Sequence, residues 1–254
     1  MTAVCDQATA TLSEPLHSLL VRHDFRKFAT ESNFVNLMMN RKDIDYSLYL
    51  VTDRDLARGR AMLDIVRAAV QGGVTCVQLR EKTCSTREFV EEALAVKECL
   101  RSRGVPLIIN DRVDVALAAG ADGVHLGQKD MPLAAARAIV TDTMLIGISA
   151  ESLADAVAAE KGGADYLGVS PIFATPTKPD AAVPLGLAGL QAIRRAVHIP
   201  LVGIGGLNRQ NAAAVLRCGA DGVAVVSAIV AAEDPERAAR ELVQVIRSAR
   251  CTWA

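Results

Sequence analysis

Gly120-Ala121-Asp122-Gly123-Val124 returns as Gly163-Ala164-Asp165-Tyr166-Leu167 and again as Gly219-Ala220-Asp221-Gly222-Val223, with a looser relative at Gly72-Gly73-Val74-Thr75-Cys76. Each copy reads as the stop of a helix and the start of a strand. Glycine takes the left-handed conformation just past a helix end, the small and turn-forming residues carry the chain over, and a β-rich run follows. Between the copies lie further short apolar runs: Leu48-Tyr49-Leu50-Val51, Leu107-Ile108-Ile109, Leu145-Ile146-Gly147-Ile148 and Leu201-Val202-Gly203-Ile204. Counting both sets predicts eight strands. None alternates with polar residues, as expected of a parallel sheet covered by helices.

The intervening helices are legible too. Ser85-Thr86-Arg87-Glu88 reads as a capping box, after which Phe89, Val90, Ala93, Leu94 and Leu100 fall near one helical face. Asp234-Pro235 reads as an N-cap with proline at the first helical position, followed by Ala238, Ala239, Leu242, Val245 and Ile246. Strand and helix alternate eight times between Tyr46 and Ala249. Right-handed crossovers then close the units into an α/β fold, a single (β/α)8 TIM barrel, with a doubly wound open sheet as the alternative. The 254 residues match the typical barrel length of about 250. Residues 46–254 are expected to form the catalytic barrel, and residues 1–45 an N-terminal extension with a weak amphipathic patch around Phe25, Phe28, Phe34 and Leu37. A late start at Met38 or Met39 leaves that barrel whole.

Lys+Arg 28 against Asp+Glu 29 gives a net charge of -1, so no overall field favours nucleic acid or an anionic membrane. Any phosphate binding must be local. The six cysteines form no CxxC pair and have no histidine at metal-ligand spacing, which reads as reduced thiols in the cytoplasm. Met1-Thr2-Ala3 opens without a basic region, and Leu19-Leu20-Val21 is too short for a signal core or a span.

A parallel barrel gathers the downstream ends of its strands into one rim, and there the polar chemistry clusters. Gln78, Arg80 and Lys82 alternate along a strand end and so point together into the mouth. A guanidinium fork beside an ammonium point charge suits a diphosphate, an ion pair of Arg80 with Glu81 or another rim acid being the alternative. Asp111 and Asp130 follow later strands outside any Cys/His cluster. They indicate a hard, oxygen-liking ion such as magnesium, which takes one or two carboxylates plus substrate phosphates and water; solvated turn acids are the plain alternative. His125, between Val124 and Leu126, reads as a satisfied core or supporting histidine rather than a base. Asp122, Asp165 and Asp221 belong to the opposite end, where stability is the usual role.

The loop from Ser170 to Pro179 is long, proline-stiffened and bears Thr175, Thr177 and Lys178, donors suited to an anion and to a lid. Gly205-Gly206 and Val226-Ser227 end the seventh and eighth strands, where barrels often bind phosphate through backbone N–H groups and a short helix. Two anion sites result, a metal-aided one on the early strands and a metal-free one on the late strands.

Gln78-Leu79-Arg80-Glu81-Lys82, Asn110-Asp111-Arg112, Gly127-Gln128-Lys129-Asp130 and Thr175-Pro176-Thr177-Lys178, in this order, resemble the thiamine phosphate synthase (thiamine-phosphate pyrophosphorylase) family over nearly all of Tyr46 to Ala249. Members join 4-amino-5-hydroxymethyl-2-methylpyrimidine diphosphate to hydroxyethylthiazole phosphate by a dissociative substitution that releases diphosphate. The resemblance implies that Gln78, Arg80, Lys82 and Asn110 hold the pyrimidine diphosphate, that Asp111 and Asp130 ligate magnesium, that Ser149 faces the pyrimidine and that Lys178 faces the leaving diphosphate. It assigns the thiazole phosphate to Thr175, Thr177, Gly206, Val226 and Ser227, and catalysis to Arg80, Lys82, Ser149 and Lys178. The partners it implies are two small-molecule substrates, with a homo-oligomer left open. Competing readings are a relative that only isomerises the thiazole phosphate, a sugar-phosphate isomerase and a catalytically silent ligand-binding barrel.

Overall fold

The computed structural model describes residues 44–175 and 182–251, all within a compact unit spanning Met39–Ala254. The amphipathic patch at Phe25, Phe28, Phe34 and Leu37 lies outside the described residues. Strands β1 (Leu48–Val51), β2 (Cys76–Leu79), β3 (Leu107–Asn110), β4 (Gly123–Leu126), β5 (Leu145–Ala150), β6 (Tyr166–Val169), β7 (Leu201–Gly203) and β8 (Gly222–Val225) stand where the apolar runs placed them. They pair in parallel in chain order, and β8 closes on β1. The open-sheet alternative is thereby excluded.

Helices α1 (Met62–Gln71), α2 (Thr86–Arg101), α3 (Val113–Ala119), α4 (Leu133–Ile139), α5 (Leu153–Lys161), α6 (Gly186–Ala196) and α7 (Ala212–Arg217) follow the first seven strands in turn. After β8 come two helices, the one-turn α8 (Ser227–Val230) and the long α9 (Pro235–Cys251). No described helix is long and apolar enough to cross a membrane.

The repeated turns do one physical job. Gly120, Gly163 and Gly219 have φ of 57°, 85° and 97°, the left-handed region that lets the chain reverse from helix to strand. The aspartate that follows reaches sideways to the neighbouring strand. Asp122 Oδ2 accepts from Leu107 N at 2.8 Å, Asp165 Oδ2 from Ile146 N at 2.7 Å, and Asp221 Oδ2 from Leu201 N at 2.8 Å. In the looser relative Thr75 takes the part, its Oγ1 accepting from Leu48 N at 3.1 Å. Each of these side chains pairs a backbone donor at the upstream end of the barrel. Arg137 and Arg194 complete Asp165 and Asp221 from the helices, at 2.6 and 3.0 Å.

The core has two shells. Between strands and helices lie Leu50, Val77, Leu79, Ile109 and their neighbours. Inside the barrel lie Tyr46, Tyr49, Val51, Cys76, Ile108, Leu145, Tyr166, Val202 and Ala224. With apolar packing on both faces, the strands have no reason to alternate.

The Ser85/Glu88 capping box forms, and Asp234 Oδ1 caps α9 by accepting from Arg237 N at 2.9 Å. Helix α9 buries Ala239, Leu242 and Ile246, with Ala238 and Val245 packed at the edge. Helix α2 departs from the expected face at one position: Phe89, Ala93, Val96 and Leu100 are buried, whereas Leu94 is 48% exposed. The buried set steps by four, three and four residues, and Leu94 falls off that stripe.

Candidate active site

A pocket of about 400 Å³ opens at the downstream strand ends. Gln78, Arg80, Lys82, Asn110, Asp111, Asp130, Ser149, Thr175, Gly206, Val226 and Ser227 all line it. Thr177 and Lys178, the remaining candidates, lie outside the described residues.

Strand β2 ends at Leu79, yet its two-residue alternation persists long enough to turn Gln78, Arg80 and Lys82 to the pocket. Neither cation stands alone. Arg80 Nη1 bonds Asp53 Oδ2 at 2.9 Å, and Lys82 Nζ bonds Asp111. The rim-acid alternative therefore holds for Arg80, but with Asp53 as the acid; Glu81 is turned away to Arg54, at 2.8 Å. Asp53 is itself anchored, its Oδ1 accepting from Leu56 N at 3.1 Å. Sequence reasoning missed Asp53, although it stands just past β1 and the rule that found the other rim residues applies to it equally.

Asp111 has a φ of 62°, a left-handed conformation that aspartate tolerates better than most side chains. Arg112 N donates to Asn110 O at 2.8 Å, closing a tight turn around it, and Asp111 N donates to His125 O at 2.9 Å. From the next strand end, Asp130 Oδ2 accepts from Gly127 N at 2.7 Å. The two carboxyl groups are close enough to shift one another's acidity. Burial works to raise Asp111, but the bonds from Lys82 and Asp130 and the nearby charges hold it below the ordinary aspartate value. Burial and the neighbouring Asp111 push Asp130 up.

Two neighbouring carboxyl groups, one of them bonded to Lys82, form a donor set that fits a hard divalent cation. Among the described residues no group of three or more His, Cys, Asp or Glu could hold a metal. A cation held by these two acids alone would take its other ligands from phosphate and water, as magnesium does.

The pocket floor is an unbroken file of hydrogen bonds. Gln78 Nε2 donates to Tyr49 Oη at 3.0 Å, Tyr49 and Tyr166 hydroxyls meet at 2.9 Å, Tyr166 Oη meets His125 Nδ1 at 3.0 Å, and His125 Nε2 meets Ser149 Oγ at 3.0 Å. Burial holds both phenols well above their usual range, so they stay neutral. His125 is 8% exposed and satisfied, as its apolar flanks predicted, but it also lines the pocket. Glycine makes room for the file: a Cβ at Gly147 would lie 2.1 Å from Tyr166 Cζ.

On the late strands, Gly205 and Gly206 adopt φ of 101° and 66°. A Cβ on Gly206 would meet Ala174 O at 2.7 Å, so the bare glycine lets the loop after β6 lie against this corner. Val226 and Ser227 begin α8, whose far end is tied down by Arg60 through Val230 O and, at 2.7 Å, Ala232 O. Val226 and Ser227 thus bring the start of a short helix to the pocket, one strand removed from the cations of β2.

Residues 48–229 match the family model described as thiamine monophosphate synthase. The chain belongs to that family. Within the thiamine monophosphate synthase family it is 59% identical over 199 residues to thiamine-phosphate synthase from Chloroflexus aurantiacus, covering 78% of this chain and 92% of that protein. It is 58% identical over 199 residues to the Albidiferax ferrireducens thiamine-phosphate synthase, covering 78% and 91%. Among solved structures, thiamine phosphate pyrophosphorylase from Pyrococcus furiosus superposes with a TM-score of 0.76 at 43% identity, over 81% of this chain and 98% of that one.

Proposed function

We propose that this transferase of thiamine biosynthesis joins 4-amino-5-hydroxymethyl-2-methylpyrimidine diphosphate to hydroxyethylthiazole phosphate, releasing diphosphate. The observation that carries the reading is a single pocket with Arg80, Lys82, Asp111 and Asp130 on one side and Gly206, Val226 and Ser227 on the other. An enzyme that merely isomerises the thiazole phosphate has no use for the first set.

Departure of diphosphate from the pyrimidine methylene builds negative charge on oxygens that Arg80 and Lys82 face, with Lys178 added from the loop after β6. Stabilising that charge, rather than abstracting a proton, is the catalytic act. Asp53 keeps the Arg80 guanidinium aimed at the pocket while leaving it donors for phosphate. Lys82, 52% exposed in its side chain, can leave Asp111 for the incoming anion. Asp111 and Asp130 would hold magnesium, which when bound neutralises diphosphate oxygens. Ser149, with Gln78 and Asn110, orients the pyrimidine, whose amino group stabilises the cation left behind. Asn110 Nδ2 is buried and unpartnered among the described residues, a donor that a ligand oxygen or nitrogen can satisfy. Thr175, Thr177, Gly206, Val226 and Ser227 grip the thiazole phosphate so that the ring nitrogen meets that cation at once.

The described cysteines Cys76, Cys84, Cys99, Cys218 and Cys251 are free thiols, which supports a reducing, cytoplasmic setting. The deciding experiment incubates the purified protein with both phosphorylated halves, with and without magnesium. Thiamine phosphate and diphosphate are expected in equal amounts only with the metal; turnover of the thiazole phosphate alone, without coupling, would refute the assignment.

A further inference from the structure

We propose that the buried file from Gln78 to Ser149 has one proton order, and that Tyr49 and Tyr166 are positioning residues which, through His125, make Ser149 a hydrogen-bond donor to the ligand. In that order each hydroxyl of the file passes its single proton to the next member. An amide nitrogen can only donate, so Tyr49 Oη accepts from Gln78, and in this order its single proton goes to Tyr166. The single proton of Tyr166 then goes to His125 Nδ1, which must be bare to receive it. In the neutral imidazole this order puts the proton on Nε2, aimed at Ser149 Oγ. The serine's own proton is left for the pocket, which Ser149 lines.

Packing alone does not account for these hydroxyls. The interior of a (β/α)8 barrel is ordinarily filled by branched aliphatic side chains, and a polar group placed there is costly unless it is paired. Tyr46 supplies the contrast within the same inner shell. Its ring lies 4.8 Å from that of Tyr166, yet its buried hydroxyl has no hydrogen-bond partner among the described residues. Three phenols fill the lumen, and the two that belong to the file end at a pocket residue.

The sign of the bond at Ser149 matters because an aminopyrimidine offers ring nitrogens that accept and an amino group that donates. A donor serine selects a ring nitrogen; the reverse order would turn Ser149 into an acceptor and select the amino group. What the serine proton meets rests on the function proposed above, whereas the order itself does not.

The test combines 15N NMR of histidine-labelled full-length protein with steady-state kinetics, the His125 signal being assigned by its loss in His125→Asn. Wild type and Tyr46→Phe are expected to show His125 as the pure Nε2–H tautomer. Tyr166→Phe removes the donor to Nδ1 and mixes the two tautomers, and Tyr49→Phe, one step upstream, gives a smaller mixing. Loss of one such bond lowers kcat about tenfold in Tyr166→Phe, with the KM for thiazole phosphate unchanged and Tyr46→Phe at the wild-type rate. A wild-type proton on Nδ1, a doubly protonated wild-type imidazole, or an unaltered tautomer in both Tyr166→Phe and Tyr49→Phe, overturns the order. Mixed tautomers with wild-type kcat overturn the positioning role. Should the wild type form no thiamine phosphate, the function reading fails and the tautomer measurement still decides the order.

Discussion

Asp165 and Asp111 carry the same carboxylate at opposite ends of one barrel, and their partners differ in kind. Asp165 accepts from the backbone of Ile146 and from Arg137, whose side chain is 26% exposed. Asp111 faces Lys82, 52% exposed, and a second carboxyl group, Asp130. A backbone N–H is fixed once the strand forms, so the upstream acids are spent on the fold. A lysine and a neighbouring acid can exchange partners, so in the proposed reaction the rim acids serve a cation that neutralises the diphosphate. Position along the strand, not residue type, separates structure from chemistry.

The sharpest way to break this comparison is to remove the metal. A chelator is expected to suppress coupling by more than about a hundredfold, the scale of losing an electrostatic stabiliser. The melting temperature should not move, because the upstream acids carry the fold; thermal unfolding alongside the rate assay checks both. Next is Arg80→Ala, expected to reduce turnover by roughly a hundred- to thousandfold, about 2.7 to 4 kcal/mol of activation barrier, with unchanged circular dichroism. Wild-type turnover in that variant would move Arg80 out of the chemistry.

At the other end the sign reverses. Asp165→Ala leaves a buried backbone donor unpaired and should lower unfolding stability by about 1 to 3 kcal/mol, while kcat per folded molecule stays near wild type. Asp221, 51% exposed against 14% for Asp165, should cost less, so denaturant titration of the two variants ranks them. The smallest effect belongs to Thr75→Val, where a neutral hydroxyl does the aspartate's work on β1, and about 1 kcal/mol is expected. A larger loss there than at Asp165 would overturn the idea of one repeated device.

Much of this was legible in the residues. Glycine and aspartate at the repeated turns, the Ser85/Glu88 box and Asp234-Pro235 act over a few positions, and each stands where local rules placed it. The rim candidates were legible because a strand end is a short-range event and the barrel brings every such end together. Leu94 was misplaced because several apolar residues compete for one helical stripe and only packing selects among them. Asp53 went unnoticed because Thr52-Asp53 carries no local mark beyond its place after β1, and its importance is that Arg80 stands 2.9 Å away on the next strand.

By itself the chain's order of residues determined the number, sequence and parallel sense of the strands and which polar groups follow them, since turn chemistry and apolar runs are local. Only the closed barrel decided partners: Arg80 with Asp53, Lys82 with Asp111, and Tyr49 with Tyr166 and His125 in a file beneath the pocket. The reason is physical. A parallel strand buried on both faces is apolar on both, so its period of two cannot say which side chains enter the lumen until all eight strands have met.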